Sequence, residues 1–199
     1  MKSVLHVGCG SATIAKMPAG FQDGAWRELR LDIDPTHAVD FVGTMLDMHV
    51  VANDSVDALY SSHNIEHVDA HEVDVALREF RRVIKPDGFV VVTCPDLEAV
   101  ARHVAEGRLE DPLYTSPSGP ISALDILYGH GAAIARGQVY MAHRTGFTAK
   151  TLAAHAQAAG FATLGVRRRP KHFDLWMICT KQTASADRIN ELLTSYARA

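Results

Sequence analysis

The chain has 199 residues, which is enough for one domain with its own hydrophobic core. Hydrophobic residues make up 47% of it and charged residues 22%, and a net charge of −3 offers no basic surface to a nucleic-acid backbone. Every apolar run is shorter than the ~20 residues of a membrane span, so we expect neither a nucleic-acid partner nor a membrane span.

The first predicted strand, residues 4–7, ends in the glycine turn Gly8-Cys9-Gly10. Neither glycine carries a Cβ, so the backbone of this turn can come close to a bound ligand. A second apolar strand ends about 20 residues later at Asp32, whose carboxylate is suited to bind ribose hydroxyls. The two strand ends together predict a nucleoside-binding site.

The glycine turn also narrows the class of nucleotide. A dinucleotide fingerprint needs a third glycine or alanine where this chain has Thr13. The turn also lacks the Gly-Lys-Ser/Thr ending of a phosphate-binding P-loop. We therefore expect a nucleoside without a pyrophosphate, and S-adenosylmethionine (SAM) fits that description.

Strand-like and helix-like segments alternate along the rest of the chain, which predicts a parallel sheet with helices on both faces. Residues 107–146 break this alternation: they are rich in Gly, Pro, Ser, Tyr and His, with one helical patch at 121–127, which is typical of a lid or binding loop. The other predicted elements are strands at 40–43, 55–60, 89–94, 161–166 and 173–180 and helices at 72–85, 148–160 and 185–199.

The positions of the cysteines and the first residues of the chain predict the cellular compartment of the protein. Cys9, Cys94 and Cys179 lie far apart within apolar runs and form no Cys-x-x-Cys, so we expect reduced, buried thiols. The first strand begins too close to Met1 to leave room for a signal peptide, which favours a cytoplasmic protein. The basic run at 167–171 is expected to be a solvated turn between strands.

In this order the segments resemble the class I SAM-dependent methyltransferases, particularly the type 11 group of small-molecule enzymes. The resemblance covers residues 4–182 apart from the irregular middle segment, and its motifs are the glycine turn, residues 31–35, 56–68 and 82–88, and His143 with Ala159-Gly160-Phe161. It implies an α/β Rossmann-like fold, with a doubly wound, mostly parallel seven-stranded sheet and an antiparallel final strand. It also implies methyl transfer from SAM to a small-molecule acceptor.

The resemblance further implies a set of cofactor contacts. The glycine turn would lie under the methionine part of SAM, Asp32 would bind the ribose (with Asp34 as the competing acid), and Asp47 would face the adenine amino group. The turn after the fourth strand would lie near the sulfonium. The implied cofactor-binding residues are Gly8, Cys9, Gly10, Asp32, Ile33, Asp47, Met48, Ser61 and Ser62.

Two features depart from the family pattern. His6 stands where an acid often precedes the first glycine, which puts the usual contact to the SAM ammonium in doubt. The chain also starts at the first strand, without the helix that covers SAM in many relatives. Either residues 107–146 or a second subunit, and hence a homodimer, would have to cover the site. An inactive SAM-binding partner module is therefore the alternative function.

A histidine-rich motif offers a remote alternative. His63, Glu66 and His67 fit the His-x-x-Glu-His zinc motif of inverted metalloproteases, which would make the chain a metal-dependent hydrolase. That activity needs the motif on one helix, whereas here it follows a strand. In relatives that methylate quinone precursors, a similarly placed trio is implicated in binding a divalent ion. We favour a His/Glu patch at the pocket edge and assign no metal ligand.

Methyl transfer from a sulfonium is a direct displacement, so the main task of the enzyme is to align nucleophile, methyl group and sulfur. A hydroxyl or amine nucleophile also needs a base, and histidine suits neutral pH. The candidate catalytic residues are His63, His67, His130 and His143.

Overall fold

In the computed structural model, which describes residues 1–116 and 118–197, a seven-stranded sheet forms the centre of the chain. The strands are β1 Lys2–Val7, β2 Trp26–Asp32, β3 Phe41–Val42, β4 Val56–Ser62, β5 Ile84–Pro95, β6 Pro112–Ser116, β7 Gly119–Ser122, β8 Thr163–Arg169 and β9 Asp174–Thr180. The α-helices are α1 Val73–Val83, α2 Leu97–Ala105, α3 Ala123–Tyr128, α4 Gly131–Ala135, α5 Ala149–Ala158 and α6 Ala186–Tyr196.

The strand order in the sheet is β3-β2-β1-β4-β5-β9-β8. Strands β1 to β5 run parallel to one another, and the final strand β9 runs antiparallel between β5 and β8. The predicted doubly wound sheet with an antiparallel final strand is confirmed. The chain moves outward from β1 to β3 and then returns to the other side of β1, so the order reverses between β1 and β4.

Each face of the sheet has its own hydrophobic core. On one face α1 and α5 contribute fully buried side chains such as Phe80 and Leu152. On the other face α6 packs with the β1–β2 connection, where Phe21 and Leu192 are buried. Thr148 caps the start of α5, and Gly160, with φ +89°, follows its end as predicted.

The connection between β1 and β2 contains two 3₁₀ turns, Ile14–Lys16 and Ala19–Phe21, and no α-helix. The glycine turn is therefore not continued by a helix whose first turn could present free N–H groups to a ligand. Its conformation depends instead on side chains from the neighbouring strand, as the site geometry shows.

The segment 107–146 is more regular than the single helical patch predicted for it. It holds the hairpin β6–β7 and the helices α3 and α4, and only Pro117 within it lies outside the described residues. Ser122 and Asp125 form a capping box that starts α3. A small core joins the segment to the domain, because Ile126 packs in one cluster with Val100 of α2 and with Phe173.

The expected solvated turn at 167–171 is confirmed only for Pro170 and Lys171, because the three arginines lie in β8. Arg168 pairs with the fully buried Asp96 at 2.8 Å, and Arg169 donates to the buried Asp174 at 2.9 Å. These arginines neutralise carboxylates that would otherwise be buried unpaired at high cost. At the chain end, α6 confirms most of the predicted C-terminal helix, and residues 198 and 199 lie outside the described part.

All three cysteines are free thiols with buried side chains, as predicted. Within the described residues, none of the helices is long and apolar enough to cross a membrane.

Candidate functional site

Most of the predicted cofactor residues lie at one edge of the sheet, at the carboxyl ends of β1, β2 and β4, whereas Asp47 and Met48 lie in the connection after β3. Val7, the last residue of β1, pairs in register with Ser61 near the end of β4. The glycine turn and the turn after β4 therefore flank the point where the strand order reverses. In open α/β sheets, ligands bind in the crevice at this position.

The glycine turn is held by one face of β2. Glu28, Arg30 and Asp32 alternate with apolar residues, so their side chains share a face of the strand. Asp32 Oδ2 accepts from the Gly10 amide at 2.6 Å, and Glu28 Oε2 accepts from the Ile14 amide at 2.9 Å. The Arg30 guanidinium donates to the Gly10 carbonyl at 2.7 Å. These contacts replace the support that a following helix would give.

Asp32 has a structural role that the sequence analysis did not predict. It is nearly buried, and its second oxygen accepts from the Asp34 amide at 2.9 Å. Carboxylate oxygens have two lone pairs each, so capacity for ribose hydroxyls remains. The competing residue Asp34 is occupied otherwise, because its Oδ1 accepts from the amide and hydroxyl of Thr36 at the start of the next turn.

The remaining predicted contacts are not equally available to a ligand. Ile33 exposes 64% of its apolar surface at the open edge beside Asp32. The exposed Asp47 carboxylate accepts from His49, and hydrogen bonds from the His49 side chain and backbone lower the pKa of Asp47. The Met48 side chain is fully buried in the core, and the Met48 amide donates to Glu79 at 2.7 Å. The Met48 side chain is therefore unavailable to a cofactor.

The small polar side chains at the end of β4 form hydrogen bonds with other side chains of the protein. Ser61 is fully buried and accepts from the Asn64 amide group at 3.3 Å, while Ser62 Oγ lies 2.8 Å from Thr93 Oγ1. Cys9 is also buried, and burial raises the pKa of its thiol. These residues can offer backbone groups to a ligand without moving their side chains.

His6 forms a pair that the sequence analysis did not predict. Its Nδ1 lies 2.7 Å from Glu28 Oε1, and its ring packs against Tyr60. Burial lowers the pKa of His6 although Glu28 opposes this shift. An acid is therefore present beside position 6, on the neighbouring strand β2.

Gly8 needs both its left-handed backbone and its missing side chain. Its φ is +68°, and a Cβ on it would lie 2.2 Å from Asn64 Nδ2. Asn64 follows β4 and donates weakly to the Val7 carbonyl at 3.4 Å. Asn64 therefore fills the space above Gly8 at the reversal point of the sheet.

We expect Gly8→Ala to lower the melting temperature by more than Gly24→Ala. Both positions have positive φ, which costs a β-carbon residue roughly 1–2 kcal/mol, but only Gly8 has a neighbour in the way. Each kcal/mol corresponds to about 2–4 °C in a protein of this size. Adding Asn64→Ala to Gly8→Ala should recover the excess loss, as measured by thermal unfolding. Equal losses in the two single variants would contradict the predicted clash.

A cavity of about 130 Å³ lies beside this edge, beyond the ends of β4 and β5. It brings together all four candidate histidines, two from the turn after β4 and two from the segment 107–146. Its lining consists of His63, Glu66, His67, Pro95, Tyr114, Ile121, Asp125, Ile126, His130, Met141, His143 and Phe173.

The turn that carries His63 and His67 rules out the geometry of the hydrolase alternative. His63 directly follows β4, and residues Ile65–His67 form a single 3₁₀ turn. The zinc motif of inverted metalloproteases needs both histidines on one α-helix, and this chain has no helix there. His71, the next histidine along the chain, is exposed and does not line the cavity.

Glu66 is the charged centre of the pocket. Only 1% of its surface is exposed, and within the described residues neither carboxylate oxygen has a hydrogen-bond partner. The nearest ion-pair partner is His63, whose Nδ1 lies 3.5 Å from Oε1. Burial by itself would raise the pKa of Glu66, but His63, followed by His67 and His143, outweighs burial and holds it below its usual value.

The histidines respond differently to this carboxylate. Partial desolvation tends to lower the pKa of His63, whose side chain is 49% exposed, but the interaction with Glu66 is stronger and raises this pKa. Burial lowers the pKa of His143 despite the charge of Glu66. His63 also has a φ of +48°, an uncommon backbone conformation for a non-glycine residue that often marks functional sites.

Comparisons with known proteins agree with this geometry. Residues 5–92 match the family model of the methyltransferase domain. Among solved structures, a Pyrococcus horikoshii protein has a TM-score of 0.62 at 13% identity. The alignment covers 91% of this chain and 82% of the Pyrococcus chain. A Thermotoga maritima SAM-dependent methyltransferase has a TM-score of 0.58 at 15% identity, with coverages of 92% and 83%.

A third similar structure contains a cofactor product. The 1,6-didemethyltoxoflavin-N1-methyltransferase of Burkholderia thailandensis, solved with its substrate and S-adenosylhomocysteine (SAH), has a TM-score of 0.57 at 18% identity. The alignment covers 92% of this chain and 72% of that enzyme. No curated protein sequence matches this chain. The match of residues 5–92 to the methyltransferase domain and the similarity of fold to these structures support a SAM-dependent methyltransferase.

Proposed function

We propose that this enzyme methylates a small acceptor whose reacting part has about the size of one ring. The observation that supports this is the cavity beyond the ends of β4 and β5, with its buried carboxylate and four histidines. Its volume of about 130 Å³ is close to that of engineered cavities of roughly 150 Å³ that bind benzene. The mixed apolar and ionisable lining suits an acceptor with one polar reacting atom.

We assign the role of proton acceptor to His63. It begins the turn after β4, where the predicted sulfonium contacts Ser61 and Ser62 end the strand. The negative charge of the buried Glu66, whose Oε1 lies 3.5 Å from His63 Nδ1, can stabilise the charged form of the imidazole. His67, His130 and His143 remain the other candidates from the sequence.

We also propose that residues 107–146 form the acceptor-side lid of a single domain. The segment supplies half or more of the cavity lining, including Tyr114, Ile126 and Met141. Lids of this kind exclude water and complete the site. A homodimer and a cytoplasmic location are further parts of the proposal; the free, buried thiols fit a reducing compartment.

Calorimetry with purified protein tests the cofactor assignment. We expect SAH to bind with a dissociation constant on the order of micromolar, about −8 kcal/mol, and NAD not to bind. Binding of NAD without SAH would contradict the assignment of the nucleoside site.

Transfer of labelled methyl groups from SAM into a metabolite extract then tests activity. A labelled small molecule that depends on the enzyme is the expected result. SAH binding without transfer to any fraction would favour the inactive partner module instead.

A further inference from the structure

Three side chains of the pocket form a compact cluster of donor atoms. Glu66, His67 and His143 each offer one atom, and these atoms all lie within 4.8 Å of one another. The two imidazole rings are in edge-to-face contact, with centroids 4.9 Å apart. The 3₁₀ turn after β4 supplies two members, and the segment 107–146 supplies the third.

The hydrogen bonds of the two histidines fix which nitrogen is free. His67 Nδ1 lies 3.1 Å from the Ala142 carbonyl, and His143 Nδ1 lies 2.7 Å from the Ile126 carbonyl. A carbonyl only accepts, so each Nδ1 carries the proton and each Nε2 keeps a free lone pair. Metal-binding histidines are held in this way, by a backbone carbonyl on the nitrogen that does not bind the metal.

Glu66 provides an independent indication of a missing cation. Its carboxylate is 1% exposed and has no hydrogen-bond partner in the described part of the chain. An ionised group in such a place is costly unless it is paired or coordinates a metal. His63 at 3.5 Å is too distant for a normal hydrogen bond.

We propose that Glu66, His67 and His143 bind one divalent transition-metal ion of the Zn²⁺ type. Two imidazoles and a carboxylate are the ligands of a common catalytic zinc site, which keeps one coordination position open. Mg²⁺ and Ca²⁺ fit less well because they prefer oxygen ligands. The set differs from the trio suggested by the resemblance, since His143 takes the place of His63.

The open position would face the cavity and select the acceptor, a consequence that rests on the proposed function. A hydroxyl or thiol there would bind the ion and lose its proton more readily. Its lone pair would form the new bond to the methyl carbon while the carbon–sulfur electron pair stays on sulfur. The balance is one methylated acceptor, one SAH and one released proton.

Titration of the chelator-treated full-length protein with ZnCl₂ tests the site. We expect one ion per chain, and an affinity lowered at least about tenfold to a hundredfold by Glu66→Gln or His143→Ala. His130→Gln is the matched control, because His130 lines the same cavity outside the cluster. It should leave Zn²⁺ affinity unchanged. Equal Zn²⁺ affinity in wild type and both cluster variants would overturn the proposal.

Cobalt spectroscopy on the wild type avoids dependence on variants that fail to fold. Co²⁺ bound in the cluster should show the visible absorption of a four-coordinate site, and azide should change it by taking the open position. An octahedral spectrum like that of free Co²⁺ would overturn the metal site, and a spectrum insensitive to azide would overturn the acceptor role. SAH binding is measured in parallel, so that its failure would count against the proposed function and not against the metal site.

Discussion

Replacing His63 with asparagine is expected to lower turnover by about 10²- to 10⁴-fold, the usual contribution of a positioned general base. Asparagine tolerates the φ of +48° at this position, so the turn after β4 should keep its shape, but its amide cannot accept the proton. The affinity for SAH should not change, because the side chain lines the acceptor cavity. Initial rates of labelled methyl transfer, with calorimetry for SAH, measure the two effects.

The control for this variant is His71→Gln. His71 is exposed, follows the same turn and does not line the cavity, so its replacement should leave turnover unchanged. Full turnover in His63→Asn would contradict the assignment and pass the role to His67, His130 or His143.

Replacing Asp32 with alanine is expected to weaken SAH binding by on the order of tenfold to a hundredfold. A hydrogen bond to a charged group contributes roughly 1.5–3 kcal/mol, and Asp32 is the carboxylate at the end of β2. Asp34→Ala is the matched control and should change affinity little, because Asp34 stabilises the turn to Thr36. A large loss in Asp34→Ala with none in Asp32→Ala would move the ribose site by two residues.

A second ligand separates the two roles of Asp32. Its carboxylate also holds the Gly10 amide at 2.6 Å, so the alanine variant loosens the glycine turn as well. If Asp32 binds the ribose, its loss should weaken SAH more than it weakens an analogue without the ribose hydroxyls. Equal losses for the two ligands would mean that Asp32 only supports the turn.

The sequence determined the features that depend on local pattern. Two glycines after an apolar strand predicted a turn whose backbone can approach a ligand. Gly8 has a positive φ, and the neighbour that a Cβ there would meet is Asn64 of the chain itself. Alternating strand and helix patterns predicted the parallel sheet, because hydrophobic periodicity reflects which faces are buried. The carboxylate at the end of β2 followed from the same reasoning.

The sequence did not reveal how the glycine turn is supported. Glu28 and Arg30 alternate with leucines in β2, a pattern that shows a charged face but does not tell what the face contacts. The charged face of β2 contacts the glycine turn. This contact depends on the register between β1 and β2, which the sequence pattern does not specify. The basic residues of β8 were misread for the same reason, since the carboxylates that they neutralise, Asp96 and Asp174, are brought close by other strands.

The cavity that we propose as the acceptor pocket was decided by tertiary structure. The sequence nominated four histidines as separate candidates, and the hairpin and helices of 107–146 bring two of them over the turn after β4. For Met48 the tertiary structure removes a candidate side chain from the site. Its position in the motif resembles a cofactor contact, but the side chain is buried in the core. Local patterns specify strand ends and turns because those depend on neighbouring residues. The environment of Glu66 depends on residues far apart in the chain, and only the packed fold brings them together.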